Sequence, residues 1–255
     1  MIHIKIGDYV TRKKYNNDIV FKIVDIKDNI CYLCGVELRL YADSNIDDLV
    51  LTSISKKKLI NNCIRKINTN SYFYIPGVIL HLDTDIDYLK QCEEYYKSQK
   101  IKYYGILLNI KEYCNKVEKL INKYKPNIIV ITGHDAYYKK TNTYKNSKYY
   151  IDTVKRIREF DKEIIIISGA CQSDYINLIK NGSTFASSPA HININALDPA
   201  IIASYIALTD KNDVIDLEDI LSKTKYGSNG IGGIRTKGCM ISVYPRKELN
   251  WILTR

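Results

Sequence analysis

Arginine is scarce in this chain, at eight of 38 basic residues. The formal net charge of +10 would by itself point to a polyanionic partner. Bidentate recognition of phosphate and guanine draws preferentially on the guanidinium, however. The excess here is Lys, accompanied by many Ile, Asn and Tyr, which is the residue bias of an AT-rich genome. A solvated, Lys-rich surface accounts for the charge, and nucleic acid is not the expected partner. Proline and glycine are also sparse, at 5 and 12 residues, while hydrophobic residues make up 45% of the chain. This excludes a collagenous or wholly disordered protein. No apolar run approaches the ~20 residues that a membrane span needs. The opening MIHIKIGDYV lacks the basic-then-apolar layout of a signal peptide. The expectation is a soluble, cytoplasmic protein with no membrane partner.

Seven cysteines, at 31, 34, 63, 92, 114, 171 and 239, are an odd number. Without an export signal they read as free thiols rather than a disulfide framework. Cys31 and Cys34 form a single CxxC with no recognisable second pair of ligands, so no structural zinc is expected. Neither a metal nor a cofactor is implied elsewhere.

At 255 residues the chain suits one large domain, or one with a small companion. Residues 1–50 are β-rich segments broken by turns such as Asn16-Asn17-Asp18, and they are expected to form a small SH3-like β-barrel. Residues 51–72, with Lys56, Lys57 and Lys58, read as a linker. Over 73–255, apolar strands alternate with helical periodicity. The strands Val78–Leu82, Tyr103–Leu108, Asn127–Thr132 (NIIVIT) and Glu163–Ser168 (EIIIIS) are interleaved with helices, the first capped by Asp85. Continuous apolar strands of this kind are buried on both sides, and the alternation predicts a mainly parallel α/β sheet flanked by helices. The glycine-rich Gly227–Gly233 reads as a flexible loop, because it lacks the Gly-Lys-Ser/Thr ending of a phosphate loop. The first α/β strand end, Leu80–Asp85, contains no glycine, which disfavours a dinucleotide enzyme.

Two strand ends carry chemistry. One is Ile131-Thr132-Gly133-His134-Asp135 and the other is Ser168-Gly169-Ala170-Cys171-Gln172. Ligands of open α/β sheets bind at the carboxyl ends of the strands. If the two strands run side by side, His134 and Cys171 emerge at one edge. The imidazole can then take the thiol proton, and a helix opening after Cys171 would depress its pKa. His81 alternates with apolar neighbours and reads as a hydrogen-bonded core residue.

A strand ending in His followed by one ending in Ala-Cys resembles the caspase–gingipain–legumain group of cysteine proteases. Within that group the likeness narrows to one family. The segments KIGDYV (5–10), LRLYADSNIDDLV (38–50), PGVILHLDTD (76–85), PNIIVITGHDAY (126–137), SGACQS (168–173), FASSP (185–189), NALDP (195–199) and GIGGIRTKG (230–238) resemble the YabG family of sporulation-specific proteases. They cover nearly the whole chain in the family order. The resemblance implies a caspase-like domain and a cysteine endopeptidase of the sporulating cell, associated with the spore coat. It also implies processing of spore coat or cortex-related proteins after Arg or Lys. His134 and Cys171 would be the catalytic dyad, and backbone N–H groups around Gly133, Asp135 and Cys171 the oxyanion donors.

A pocket for a basic side chain needs a carboxylate. Asp83 has no evident structural task and is the first candidate. Asp198 is the second, although it can instead cap the helix that starts at Pro199. The N-terminal barrel offers no nucleophile–base pair and is expected to position substrate without sharing the site. The rival reading is an RNA- or nucleotide-binding regulator with a KOW/SH3-like barrel and a Rossmann-like domain.

Overall fold

The computed structural model describes residues 4–54 and 73–243. Most of the expected linker, residues 55–72, lies outside the described residues.

The N-terminal region is an antiparallel sheet of five strands, β1 (Tyr9–Arg12), β2 (Phe21–Lys27), β3 (Ile30–Gly35), β4 (Tyr41–Asn45) and β5 (Leu49–Leu51). Their spatial order is β4-β3-β2-β1-β5. Strand alternation turns Val10, Phe21, Ile23, Cys31 and Leu33 to one face, where they form a separate small core with Leu49. The turns between strands use residues that tolerate a left-handed backbone: Asn16 and Asn17 after β1, and Asp28 and Asn29 between β2 and β3.

The second region begins with β6 (Phe73–Ile75) and β7 (Ile79–Asp83), followed by α1 (Ile86–Ser98), β8 (Tyr103–Leu107), α2 (Tyr113–Tyr124) and β9 (Ile128–Ile131). A two-strand hairpin, β10 (Tyr137–Tyr138) and β11 (Thr143–Tyr144), precedes α3 (Ser147–Phe160) and β12 (Ile165–Ser168). Then come α4 (Tyr175–Lys180), β13 (Phe185–Ser187), α5 (Asp198–Ala207), α6 (Leu217–Ser222), β14 (Ile231–Gly233) and β15 (Ile241–Val243). Six strands make the main sheet in the order β14-β13-β12-β9-β7-β8. All neighbours are parallel except the antiparallel pair β13–β14. Strands β6 and β15 pair separately.

The apolar runs split by parity, as a sheet covered on both faces requires. Ile128 and Val130 of β9 join the core made with α1, α5 and α6. Ile129 and Ile131 join the core made with α2, α3 and α4. Removing a buried Ile from either layer would cost about 2–5 kcal/mol.

The glycine run is a correction to the sequence reading. Residues 231–233 are the antiparallel edge strand rather than loop. A Cβ on Gly232 would lie 2.7 Å from the Tyr175 hydroxyl, and one on Gly233 would meet the Phe185 ring. The glycines admit aromatic neighbours across the strand.

Candidate active site

The parallel register Ser168↔Ile131 brings the ends of β9 and β12 side by side. His134 and Cys171 therefore leave the sheet at the same edge. Each loop is built for its position. The turn after β12 needs Gly169, whose φ of +99° is left-handed and whose missing Cβ would sit 3.0 Å from a Leu178 methyl. After β9, the Tyr113 hydroxyl donates to the Thr132 carbonyl at 2.8 Å and Asn146 Nδ2 to the His134 carbonyl at 2.8 Å.

Asp135 joins the two loops. Its carboxylate accepts from the hydroxyls of Ser147 and Ser173, the latter at 3.0 Å, and from the Asn146 and Ala136 amides. Ser173 Oγ in turn accepts from the Ala170 amide at 2.8 Å. Partial burial raises the Asp135 pKa, and these donors oppose the shift.

His134 has a carboxylate partner. Its Nε2 lies 3.2 Å from Asp85 Oδ2, and that same oxygen accepts from the Tyr41 hydroxyl at 2.7 Å. The Asp85 Oδ1 atom does the expected work as N-cap of α1, accepting from the Asp87 and Tyr88 amides. Burial alone would raise the Asp85 pKa, but the His134 and Tyr41 bonds outweigh it and hold the carboxyl low. The Tyr41 ring packs on His134 with centroids 4.7 Å apart. An open cleft of about 560 Å³ lies beside His134, lined by Thr84, Leu107, Asn109, Ile110 and Asn146.

Cys171 is nearly sealed, at 3% exposure. Its thiol donates to the Arg39 carbonyl at 2.8 Å and accepts from the Ile194 amide at 3.3 Å. The helix expected to depress its pKa begins only at Tyr175, capped by Asp174. Burial dominates instead and pushes the thiol up to about 11.

The two candidate substrate carboxylates sit in different places. Asp83 is fully buried and holds the guanidinium of Arg39 through two bonds, Nη1–Oδ1 at 3.1 Å and Nη2–Oδ2 at 2.6 Å. Thr132 Oγ1 donates to Asp83 Oδ2 at 2.8 Å. That hydroxyl has one proton, so His81 Nε2, also 2.8 Å away, is the donor to it. His81 Nδ1 then accepts from the Tyr96 hydroxyl at 2.9 Å. Burial lowers the His81 pKa and keeps this tautomer neutral. Burial would likewise raise the Asp83 pKa, but Arg39 overcomes it and holds the carboxyl far below the usual range. Asp83 thus has a partner that sequence reading did not find. Asp198 lies in the first turn of α5 and does not cap it. Its Oδ1 accepts from the Lys225 amide at 3.0 Å, Oδ2 is buried without a hydrogen bond, and burial raises its pKa to about 6.

Arg39, Tyr41 and the His134 contact of Asp85 were not anticipated as parts of the site. The N-terminal region, expected to stand apart from it, supplies the first two. One signal was present: Arg39 lies between Leu38 and Leu40, and a basic side chain in an apolar setting calls for a buried acid.

Comparison with known proteins decides the class. The family model described as YabG peptidase U57 matches residues 5–66 and 53–245. The chain belongs to the YabG peptidase family. It is 36% identical over 287 aligned positions to the sporulation-specific protease YabG of Bacillus subtilis (strain 168). That alignment covers 96% of this chain and 99% of the relative. The chain is therefore a peptidase of mixed α/β architecture, with an antiparallel sheet beside the mainly parallel one. Among the described residues, no helix is long and apolar enough to cross a membrane. No group of three His, Cys, Asp or Glu side chains there is placed to hold a metal ion.

Proposed function

We propose that the protein is a cysteine endopeptidase of sporulation that processes spore coat or cortex-related proteins after Arg, or less readily Lys. It would work in the sporulating cell, at the spore coat. The observation that carries the reading is the placement of Cys171 and His134 at the ends of adjacent parallel strands, with Asp85 on the imidazole.

Cys171 is the nucleophile, and His134 takes its proton and returns it to the leaving amine. Asp85 orients the ring and stabilises the imidazolium, as the third member of a Cys-His-Asp set does. Backbone N–H groups around Gly133–Asp135 and Cys171 are the oxyanion donors. The main sheet, with five parallel strands and one antiparallel edge, is the support of a caspase-like domain over 73–255. The five-stranded sheet is an SH3-like module over 1–50, joined to it by residues 51–72. Asp83 is the proposed carboxylate for the basic side chain of the substrate; it accepts a guanidinium fork from the chain's own Arg39, which a substrate arginine would have to displace. A lysine would make a point contact there in place of the fork, which favours Arg. Membership of a peptidase family weighs against an RNA- or nucleotide-binding regulator.

The test is cleavage of an Arg-containing reporter peptide by wild type, Cys171→Ala and His134→Ala. Loss of cleavage in both variants, with circular dichroism unchanged, is expected. Wild-type rates in either one overturn the assignment.

A further inference from the structure

We propose that the open cleft beside His134 binds the part of the substrate that follows the cut, and that it selects an apolar side chain at the third residue beyond the scissile bond. This rests on the reading of Cys171 as the nucleophile and His134 as the proton donor to the leaving amine.

The direction comes from the main sheet. Its order β13-β12-β9-β7-β8 lays the carboxyl ends of five parallel strands in a row. Ile194, whose amide reaches Cys171 Sγ, follows β13. Cys171 follows β12, His134 follows β9, Thr84 follows β7, and Leu107 ends β8. In the cut, the acyl carbon bonds to Cys171 and the amine leaves on the side of His134. The chain beyond the cut therefore heads from β9 towards β7 and β8. The cleft of about 560 Å³ lies on that path, with His134, Thr84, Leu107 and Ile110 in its walls. Neighbouring strands are about 4.8 Å apart, so β8 stands roughly 10 Å from β9. An extended chain covers that span in about three residues.

The lining sets the chemistry. Leu107 is 49% exposed and stands in register with Asp83 on the neighbouring strand. Leu108 is half-buried and packs against the core that holds Ile110. These side chains offer hydrocarbon to whatever lies over them. The one carboxylate in the lining, Glu112, is already engaged. Its Oε1 takes Lys116 at 2.6 Å, and its Oε2 accepts from the Asn109 amide at 3.2 Å. A charged side chain therefore gains no partner here, whereas an aliphatic one gains burial. Two amide side chains face the backbone of the guest. Asn109 spends Oδ1 on the Lys111 amide, and Asn146 spends Nδ2 on the His134 carbonyl. Nδ2 of the first and Oδ1 of the second remain as one donor and one acceptor, which the main chain of an extended peptide needs. An apolar cleft with a few polar groups is the usual form of a binding site.

The experiment uses the full chain and two kinds of Arg reporter. One carries an arylamine dye directly on the Arg carbonyl. The other is an internally quenched peptide that continues past Arg with Ser and Gly, into which Leu or Asp is placed at each position in turn. At the third position Leu should exceed Asp in kcat/KM by tenfold or more, the scale of burying one aliphatic side chain. Leu107→Lys should invert that preference and make Asp the better residue there, an outcome that loss of folding cannot mimic. Equal rates for Leu and Asp at every position, with the dye amide still cleaved, overturn the proposal and leave the peptidase reading intact. A Leu preference confined to the first position, or one that survives Leu107→Lys, overturns the placement on β8. A chain that cleaves neither reporter ends both readings.

Discussion

Tyr41 donates a 2.7 Å hydrogen bond to the carboxylate oxygen of Asp85 that also faces His134. The bond crosses from the N-terminal sheet to the main sheet, so the imidazole is held from both regions. Tyr41→Phe keeps the ring on His134 and removes the donor. Hydrogen bonds to charged groups are worth about 1.5–3 kcal/mol. The expected effect is a roughly tenfold or larger fall in kcat on a peptide, with a melting temperature lower by about 3–10 °C. Steady-state kinetics and a melt on the same sample check this. A kcat equal to wild type would leave Tyr41 as packing only.

Asp85→Asn separates two roles of one side chain. Asn is as good an N-cap as Asp, so α1 should persist. The charge that stabilises the imidazolium is lost, and kcat should fall by about 100-fold or more. A fall in far-ultraviolet helix signal of the same variant would show instead that the cap had failed.

In the folded chain Cys171 should resist alkylation. Burial raises its pKa from the ordinary 9.0 to about 11. A shift of two units leaves about 100-fold less thiolate at pH 7.5 than an ordinary cysteine has. Labelling of the folded wild-type chain with iodoacetamide, with Cys171→Ala as the blank and read by peptide mass, measures it. Rapid modification at Cys171 contradicts the burial described above.

Asp198 predicts an unusual pH dependence. Its carboxyl is raised from 3.8 to about 6. Below about pH 3.8 the folded and unfolded chains are both protonated there, and there is no penalty. As pH rises from about 4 to 6, the unfolded chain releases this proton first, so stability falls. The full cost, reached above pH 6, is about 3 kcal/mol. Asp198→Asn should therefore stabilise the protein at pH 7.5 and change it little at pH 4. Urea melts at the two pH values give the comparison, and equal effects at both would exclude a titration.

The parts legible in sequence are those whose cause is local. Strands β9 and β12 announce themselves because burial on both faces leaves no polar position, and Asp85 announces α1 because a cap bonds within its own turn. His134 and Cys171 were visible as strand ends. What stayed hidden depends on distant partners. Asp83 meets a residue 44 positions away, and no periodicity encodes that pairing. The glycine strand β14 looks like a loop because its reason, the rings of Tyr175 and Phe185, belongs to other elements. Cys171 misled in the same way, since the Arg39 carbonyl and Ile194 amide that its buried thiol bonds lie far from it in sequence.

The strand order of the N-terminal sheet, β4-β3-β2-β1-β5, puts three adjacent strands before residue 39 and the two flanking strands after residue 40. The two groups are joined by the ladders β3–β4 and β1–β5 and by the shared core around Leu49. Between β3 and β4 the chain passes through Arg39, which reaches Asp83, and at the start of β4 Tyr41 reaches Asp85. A one-residue slip of β4 along β3 would turn Tyr41 to the opposite face, so the register of the small sheet governs the alignment of an imidazole carried by the large one.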